Sequence, residues 1–105
     1  MQIIPLQPVP WQTVSVLLAD QSCDMRVYQQ LTGLYIDLYI DNVLIIGGVL
    51  CHNIDRIVRN SYLGFLGDLV FIDNLNQDAD PYYIGLGDQF SLAYLSVDDL
   101  NGADG

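Results

Sequence analysis

A strict alternation of side-chain type over residues 34–40 constrains the fold of this chain more than any other feature of its sequence. Aliphatic side chains occupy every second position, namely Leu34, Ile36, Leu38 and Ile40, and the positions between them hold Tyr35, Asp37 and Tyr39. Successive side chains of a β-strand point to opposite faces, so the pattern predicts a strand with one buried face. Turn-forming Asp41 and Asn42 precede a second apolar run at 43–46, and the whole segment therefore predicts a β-hairpin.

Other short segments have the same strand character, with β-branched residues or alternation at 11–19, 23–30, 69–73 and 90–96. Residues 20–22 indicate a turn, and residues 74–87 a long loop. Gly47 and Gly48 predict a bulge or a close backbone approach in the strand that follows the hairpin turn. About six to seven short strands separated by turns predict an all-β fold, either a small antiparallel β-sandwich or a barrel.

A length of 105 residues predicts one domain over residues 1–105. Within it, the prolines Pro5, Pro8 and Pro10 make residues 1–10 an extended lead. The apolar side chains of this lead need a surface to lie on, in this domain or in a neighbouring subunit; they are Ile3, Ile4, Leu6 and Val9. The tail at 97–105 is polar and is expected to fray.

The charge of the chain excludes several classes of function. The formal net charge is −10, every acidic residue is aspartate, and the only basic residues are Arg26, Arg56 and Arg59. Affinity for nucleic acid comes largely from Lys and Arg at phosphates, so we expect no specific nucleic-acid binding.

The sequence has no apolar run near the roughly 20 residues of a membrane helix, and we expect no membrane insertion. Residues 1–10 lack the basic start of a signal peptide, which indicates folding in the cytoplasm.

No catalytic, cofactor-binding or metal-binding residues are assigned, and the chain is not expected to be an enzyme. His52 is the only histidine, and its neighbour Cys51 would point to the opposite face of a strand. The acidic stretch 73–80 resembles a calcium loop, but Ala79 and Gly85 stand where the turn glycine and the closing glutamate belong. Cys23 and Cys51 are expected to be buried and reduced.

Aromatic residues give the best candidates for a binding surface. Tyr35 and Tyr39 lie on the non-aliphatic face of the clearest strand, and Trp11 opens another predicted strand. Amphipathic rings suit a protein interface or a sugar-binding platform, and a half-buried second sheet face is equally consistent with them. The candidate interface residues are Ile3, Ile4, Leu6, Trp11, Tyr35 and Tyr39.

Nearly the whole chain resembles the small baseplate plug proteins of contractile-tailed bacteriophages. The resemblance lies in the opening MQIIPLQPVP with Thr13 after it, then GLYIDLYIDNVLIIGGVLC, RIVRNSYLGFLGDLVFID, DPYYIGLG and LAYL. These are structural strings, and no catalytic residue is carried over with them. The family pattern has a small polar residue at Trp11 and a basic one at Asp88, so contacts there are expected to differ.

The resemblance implies a structural virion component in the centre of the tail baseplate, which plugs the tube or hub channel before ejection. Its implied partners are the hub and the end of the tail tube, with self-association or hetero-oligomer formation in the virion, after folding and assembly in the bacterial host cytoplasm. The alternative is a β-sandwich module for carbohydrate binding or host attachment that uses the exposed tyrosines.

Overall fold

The computed structural model of the chain describes residues 1–59 and 64–104, the last four of these by their backbone alone. Seven strands lie in this part of the chain: β1 (Gln2–Ile4), β2 (Trp11–Leu18), β3 (Gln21–Gln30), β4 (Gly33–Ile40), β5 (Val43–Leu50), β6 (Asp68–Asp73) and β7 (Phe90–Leu95). A 3-10 helix at Tyr83–Gly85 precedes β7, and helix α1 follows it at Val97–Asp104. The all-β prediction is confirmed.

Two antiparallel sheets make up the fold, one in the order β1-β7-β6 and the other in the order β2-β3-β4-β5. The described strands form two separate sheets and no closed barrel, so the structure is the sandwich of the two predicted architectures. The four-stranded sheet is built from three successive hairpins, and the lead between β1 and β2 connects one sheet to the other.

Two-residue turns with left-handed backbone join β2 to β3 and β4 to β5. Ala19 and Asp20 have φ of 51° and 62°, and Asp41 and Asn42 have φ of 50° and 66°. Both central residues at positive φ define the hairpin turn whose twist matches that of the flanking strands. The turn predicted at Asp41 and Asn42 is confirmed, whereas the first turn comes before Gln21, because β3 pairs with β2 from that residue onward.

The core lies between the sheets and is made of the side chains that alternate inward from each strand. The aliphatic face of β4, with Leu34, Ile36 and Leu38, is fully buried against Phe71 of β6 and Phe90 of β7. Burial of each such side chain contributes about 1.5–3 kcal/mol. The alternation in the sequence of β4 therefore reports directly which of its faces packs against the other sheet.

Helix α1 lies within the polar tail 97–105, of which residue 105 is outside the described residues. Ser96 and Asp99 cap the helix reciprocally, since the Asp99 N–H donates to Ser96 Oγ at 3.1 Å and the Ser96 N–H donates to Asp99 Oδ2 at 3.0 Å. This capping box satisfies backbone donors that would otherwise lack a partner at the helix start. In the part of the chain that is described, no helix has the length and apolar character needed to span a membrane.

Candidate protein interface

The lead places two of its four apolar side chains, Ile4 and Leu6, on this domain and leaves Ile3 and Val9 exposed. Strand β1 pairs with β7, with Ile3 opposite Ala93 and Ile4 opposite Leu92. Ile4 and Leu6 are buried in the core, and Ile3 is half exposed. Ile4 and Leu6 are therefore core residues of this chain, and the expectation that they face a partner is corrected; Ile3 stays accessible.

The remaining candidates lie on the outer face of the four-stranded sheet, where an arginine holds two of them together. The guanidinium carbon of Arg26 on β3 lies 5.9 Å from the ring centroid of Trp11 on β2 and 6.0 Å from that of Tyr39 on β4. A cation at this distance is attracted to the negative face of an aromatic ring. We call Trp11, Arg26, Tyr28, Tyr35 and Tyr39 the aromatic–arginine face.

Tyr35 belongs to the same face but stacks on a different partner. The register places Trp11 opposite Tyr28 and Tyr28 opposite Tyr35, so the three rings stand in one row across three strands. The rings of Tyr28 and Tyr35 stack with their centroids 5.9 Å apart and their planes at 16°. Rings held in this way present a fixed apolar surface, because their rotamers are already set by cross-strand packing.

Asp37 is the buried centre of this face and ties three strands together. Its Oδ1 accepts hydrogen bonds from the Tyr28 hydroxyl at 3.1 Å and from the Gly48 N–H at 2.7 Å, and its Oδ2 lies 3.9 Å from the Arg26 guanidinium. Burial, together with the hydrogen bond to the Asp37 carboxylate, raises the pKa of Tyr28. The register between β4 and β5 is shifted at this point and Gly48 has φ of 65°, so the predicted bulge is confirmed.

Two clefts flank the row of aromatic rings. One, of about 370 Å³, is lined by Thr13, Ser15, Asp24, Arg26, Tyr39 and Asn42. The other, of about 410 Å³, is lined by Tyr28, Gln30, Leu31, Thr32, Tyr35 and Gly48. Both present hydroxyls, amides and ring faces, and in the first cleft the Ser15 hydroxyl donates to Asp24 Oδ1 at 2.5 Å. These surfaces are suited to binding another chain through its backbone and its apolar side chains.

Sequence reasoning did not connect Arg26 and Tyr28 with the tyrosines of β4. Arg26 and Tyr28 share the outward parity of the predicted second strand, opposite to Met25 and Val27. Pairing that strand in a hairpin with its two neighbours would have brought Arg26 between Trp11 and Tyr39. The alternation of side chains along the strands therefore already places Arg26 and Tyr28 on the outer face. Which residues they stand opposite depends on the register between β2 and β3, and predicting the first turn at 20–22 gives the wrong register.

His52 and the acidic loop act together as a structural tie. His52 Nδ1 lies 3.2 Å from Asp80 Oδ2, the Asn53 N–H donates to Asp80 Oδ1 at 3.1 Å, and the Asn53 side chain donates to Asp78 at 3.0 Å. The backbone hydrogen bond from Asn53, and then the one from His52, lower the pKa of Asp80. Among residues 1–59 and 64–104, no group of three or more His, Cys, Asp or Glu side chains is placed to hold a metal ion.

Asp73 organises the same loop from inside. Burial alone would raise its pKa, but the carboxylate accepts hydrogen bonds from the N–H groups of Ala79, Leu75 and Gln77 and from the Gln89 side chain, and the net effect lowers its pKa. Hydrogen bonds to the charged form of a carboxyl favour that form. The acidic loop is thus held by an ionised side chain that the loop backbone surrounds.

We expect the Asp73→Asn variant to be less stable than the wild type at neutral pH and to lose that difference in acid. A carboxyl with a lowered folded-state pKa contributes its stability above the unfolded value of about 3.9, and the contribution disappears as the pH falls through the folded-state value. Urea unfolding of both proteins between pH 2 and pH 6 measures the difference. A difference that does not change with pH over this range would contradict the assignment.

Cys23 and Cys51 are both free and both buried, as the sequence predicts. Burial raises the pKa of the Cys51 thiol to about 12, and burial followed by the charge of Asp24 raises the pKa of Cys23. The thiolate is the reactive form of cysteine, so these side chains are inert in the folded chain.

We therefore expect Cys51 in the native protein to react with a disulfide reagent at pH 8 on the order of 1,000-fold more slowly than an ordinary thiol, from its thiolate fraction alone. Absorbance of the released thiolate reagent gives the rate, and the exposed position of Leu75→Cys supplies the reference thiol. In denaturant, all thiols should react at the reference rate. Fast reaction of both native cysteines without denaturant would show that they are accessible.

The comparisons with known proteins point to one family. No curated protein sequence matches the chain. A family model described as cyanophage baseplate Pam3 plug gp18 matches residues 1–98, which covers both sheets and the aromatic–arginine face. The chain therefore belongs to this family of phage baseplate plug proteins, which are structural components of the virion tail.

Proposed function

We propose that this chain plugs the central channel of the baseplate, at the hub or at the end of the tail tube, through protein–protein contacts of its aromatic–arginine face. The observation that carries the proposal is the family match over residues 1–98. The face adds a means of attachment, because Trp, Tyr and Arg are the residues that most often dominate the binding energy of protein interfaces. Trp11 is 59% exposed, so a partner can cover much of its surface.

Charge supports a position in a channel that DNA later passes. The chain carries −10 with only three basic residues. Arg26 lies between two rings, and Arg59 is paired with Asp55 at 3.5 Å and donates to the Arg56 carbonyl. A surface with so few free cations gives a phosphate backbone little to bind, so a displaced plug does not retain the DNA.

We further propose that the role is not catalytic and that the chain folds and assembles in the bacterial host cytoplasm. Two buried free thiols suit a reducing compartment. The aromatic rings also favour protein contacts over the carbohydrate alternative, because Arg26 lies over one face of each of the Trp11 and Tyr39 rings and Tyr28 stacks on Tyr35, which reduces the ring area on which a sugar could stack. A glycan array should accordingly show no binding that depends on Tyr35 or Tyr39.

The test exploits the absence of lysine from the sequence. A carbodiimide joins carboxylates to amines, so apart from the N-terminal amine every amide formed by an aspartate of this chain must lead to another protein. On purified virions, we expect Asp24 and Asp41, which lie beside the aromatic–arginine face, to couple to lysines of hub or tail-tube proteins. Asp55 and Asp78 provide the comparison for surfaces away from that face.

A second measurement uses phage that carry Trp11→Ala together with Tyr39→Ala. We expect fewer copies of this chain per virion, by quantitative mass spectrometry, than with the control Leu75→Ala, which removes an equally exposed apolar side chain from a distant loop. Absence of any cross-link to hub or tube proteins would reject the central position. Equal incorporation of the two variants would reject the aromatic–arginine face as the contact.

A further inference from the structure

The two sheets leave four edges, and within residues 1–59 and 64–104 one of them is long, regular and not covered by another segment. Strand β1 has three residues. Strand β6 is covered by the preceding segment, because the Ile54 and Ile57 N–H groups donate to the Phe71 and Leu69 carbonyls. Strand β5 carries the bulge at Gly48. The remaining edge is β2, which among the described strands has β3 as its only neighbour.

Strand β2 also lacks the features that keep an edge from pairing. Its eight residues, WQTVSVLL, include no charge and no proline, and all eight pair with β3 in unbroken register. Charged side chains, prolines and bulges are the usual protections of an exposed edge. An edge without them is a template for another strand.

The hydrogen bond from the Gln29 N–H to the Pro10 carbonyl at 2.8 Å identifies which groups of β2 point outward. Hydrogen-bonded pairs alternate along an antiparallel ladder, so the even-numbered residues of β2 bond to β3. The backbone groups of the odd-numbered residues then face the open edge; these are Trp11, Thr13, Ser15 and Leu17. All four side chains are exposed on the outer face.

We propose that β2 pairs with β2 of a second copy of this chain, antiparallel and with Val14 opposite Val14, to join two four-stranded sheets into one. This register places Trp11 opposite the partner's Leu17 and Thr13 opposite the partner's Ser15. The outward backbone groups of the two copies then meet in on the order of eight hydrogen bonds. The inference concerns the isolated chain and does not depend on the proposed function.

Side-chain complementarity supports a second copy as the occupant. Trp11 and Leu17, at opposite ends of the edge, are 59% and 66% exposed, and the two-fold pairing sets each against the other. The polar side chains of Thr13 and Ser15 meet between them. On the inner face, Val14 and Val16 are partly buried and pack against the core, and pairing would cover their open side.

Charge is arranged so that two acidic copies can meet at this edge. Arg26 pairs with Thr13 and Asp24 pairs with Ser15, so the register puts Arg26 of each copy in one cross-strand row with Asp24 of the other. Antiparallel pairing also sets the two acidic turns, each with Asp20, at opposite ends of the joined strands. The two Asp20 residues are then about 40 Å apart along the strand direction, several Debye lengths at physiological salt.

The first experiment is sedimentation velocity of the purified chain from about 1 to 200 μM in 0.15 M salt. We expect a dimer of twice the 11.7 kDa chain mass at the upper concentrations. Thr13→Lys puts a charge at the pairing edge and should shift the midpoint at least about tenfold upward. The matched control is Val43→Lys on the edge strand β5, which is also exposed and should dimerise as the wild type does.

The second experiment tests the register. Val14→Cys brings two cysteines opposite each other at a non-hydrogen-bonded pair, where the Cα atoms lie about 4.5 Å apart, within disulfide range. Mild oxidation should link most of this variant into a covalent dimer, while Val16→Cys, which faces Gln12 of the other copy, should form no disulfide-linked dimer. The buried thiols of Cys23 and Cys51 do not compete.

The proposal is overturned by a monomer at every concentration, by unchanged association of Thr13→Lys, or by cross-linking of Val16→Cys as readily as Val14→Cys. The cysteine variants keep it testable if Thr13→Lys does not fold.

Discussion

Replacement of Gly67 by alanine is expected to destabilise the fold by about 3–5 kcal/mol, a large part of the roughly 5–15 kcal/mol of a small domain. Gly67 has φ of 100°, a backbone conformation that side chains with a Cβ rarely adopt. A Cβ there would overlap the Leu95 carbonyl oxygen and come within 2.8 Å of the Tyr94 ring and hydroxyl. Tyr94 is buried and cannot swing away, because its hydroxyl donates to the Leu66 carbonyl and its edge packs on Phe65.

Gly48→Ala separates the cost of the positive φ from the cost of the steric overlap. Gly48 also has positive φ, at 65°, but a Cβ there meets nothing within 4 Å. It should lose only the backbone cost of about 1–2 kcal/mol. Denaturant unfolding followed by far-ultraviolet circular dichroism measures the free energy of unfolding of both variants. An equal decrease in the two would mean that the residues around Tyr94 can move to accommodate a Cβ at position 67 at no cost in stability.

Asp68→Ala is expected to cost a similar amount, about 3–5 kcal/mol, because it removes the acceptor for three backbone donors. The buried carboxylate of Asp68 accepts from the N–H groups of Val58 at 2.8 Å, Arg59 at 2.9 Å and Leu69 at 2.7 Å. Alanine would leave the N–H groups of the buried residues Val58 and Leu69 without this acceptor, while the N–H of the exposed residue Arg59 could turn to water. The segment that covers the edge of β6 would lose its anchor at the same time.

Two companion substitutions make the result interpretable. Asp68→Asn retains one acceptor oxygen and should cost about 1–3 kcal/mol. Asp88→Ala removes an exposed aspartate and should stay within about 0.5 kcal/mol of the wild type. If Asp68→Ala were no worse than Asp88→Ala, water would have to replace the carboxylate, and the anchor assigned to Asp68 would be wrong.

Local periodicity was enough to find six of the seven described strands, β2 to β7, while β1 lies in the segment predicted only as an extended lead. The alternation in β4 identified its buried face, and Asp41 with Asn42 identified the turn into β5. The first turn is at Ala19 and Asp20, one residue earlier than predicted, because alanine is not a typical residue for positive φ. Which sheet each strand joins depends on contacts distant in sequence, and the sandwich could not be separated from a barrel by pattern alone.

The tail and the lead show two different limits of prediction from sequence. Ser96 and Asp99 carry the spacing of a capping box, a signal for α1 that the polar, glycine-containing composition of the tail concealed. Ile4 and Leu6 offered no such signal, because an apolar lead looks the same whether it covers its own core or that of a partner. Their burial follows from the pairing of β1 with β7, which no local pattern encodes.

The carboxylate of Asp37 has a mechanical consequence for a protein of the phage baseplate plug family. One side chain on β4 bonds to a hydroxyl on β3 and to a backbone amide on β5, so a pull applied at the Tyr28 hydroxyl is carried to β5 as well as to the neighbouring ladder. These hydrogen bonds join β3, β4 and β5, so the three strands resist shear together. A load transmitted through the outer rings is thereby spread over the sheet before any single strand can peel away.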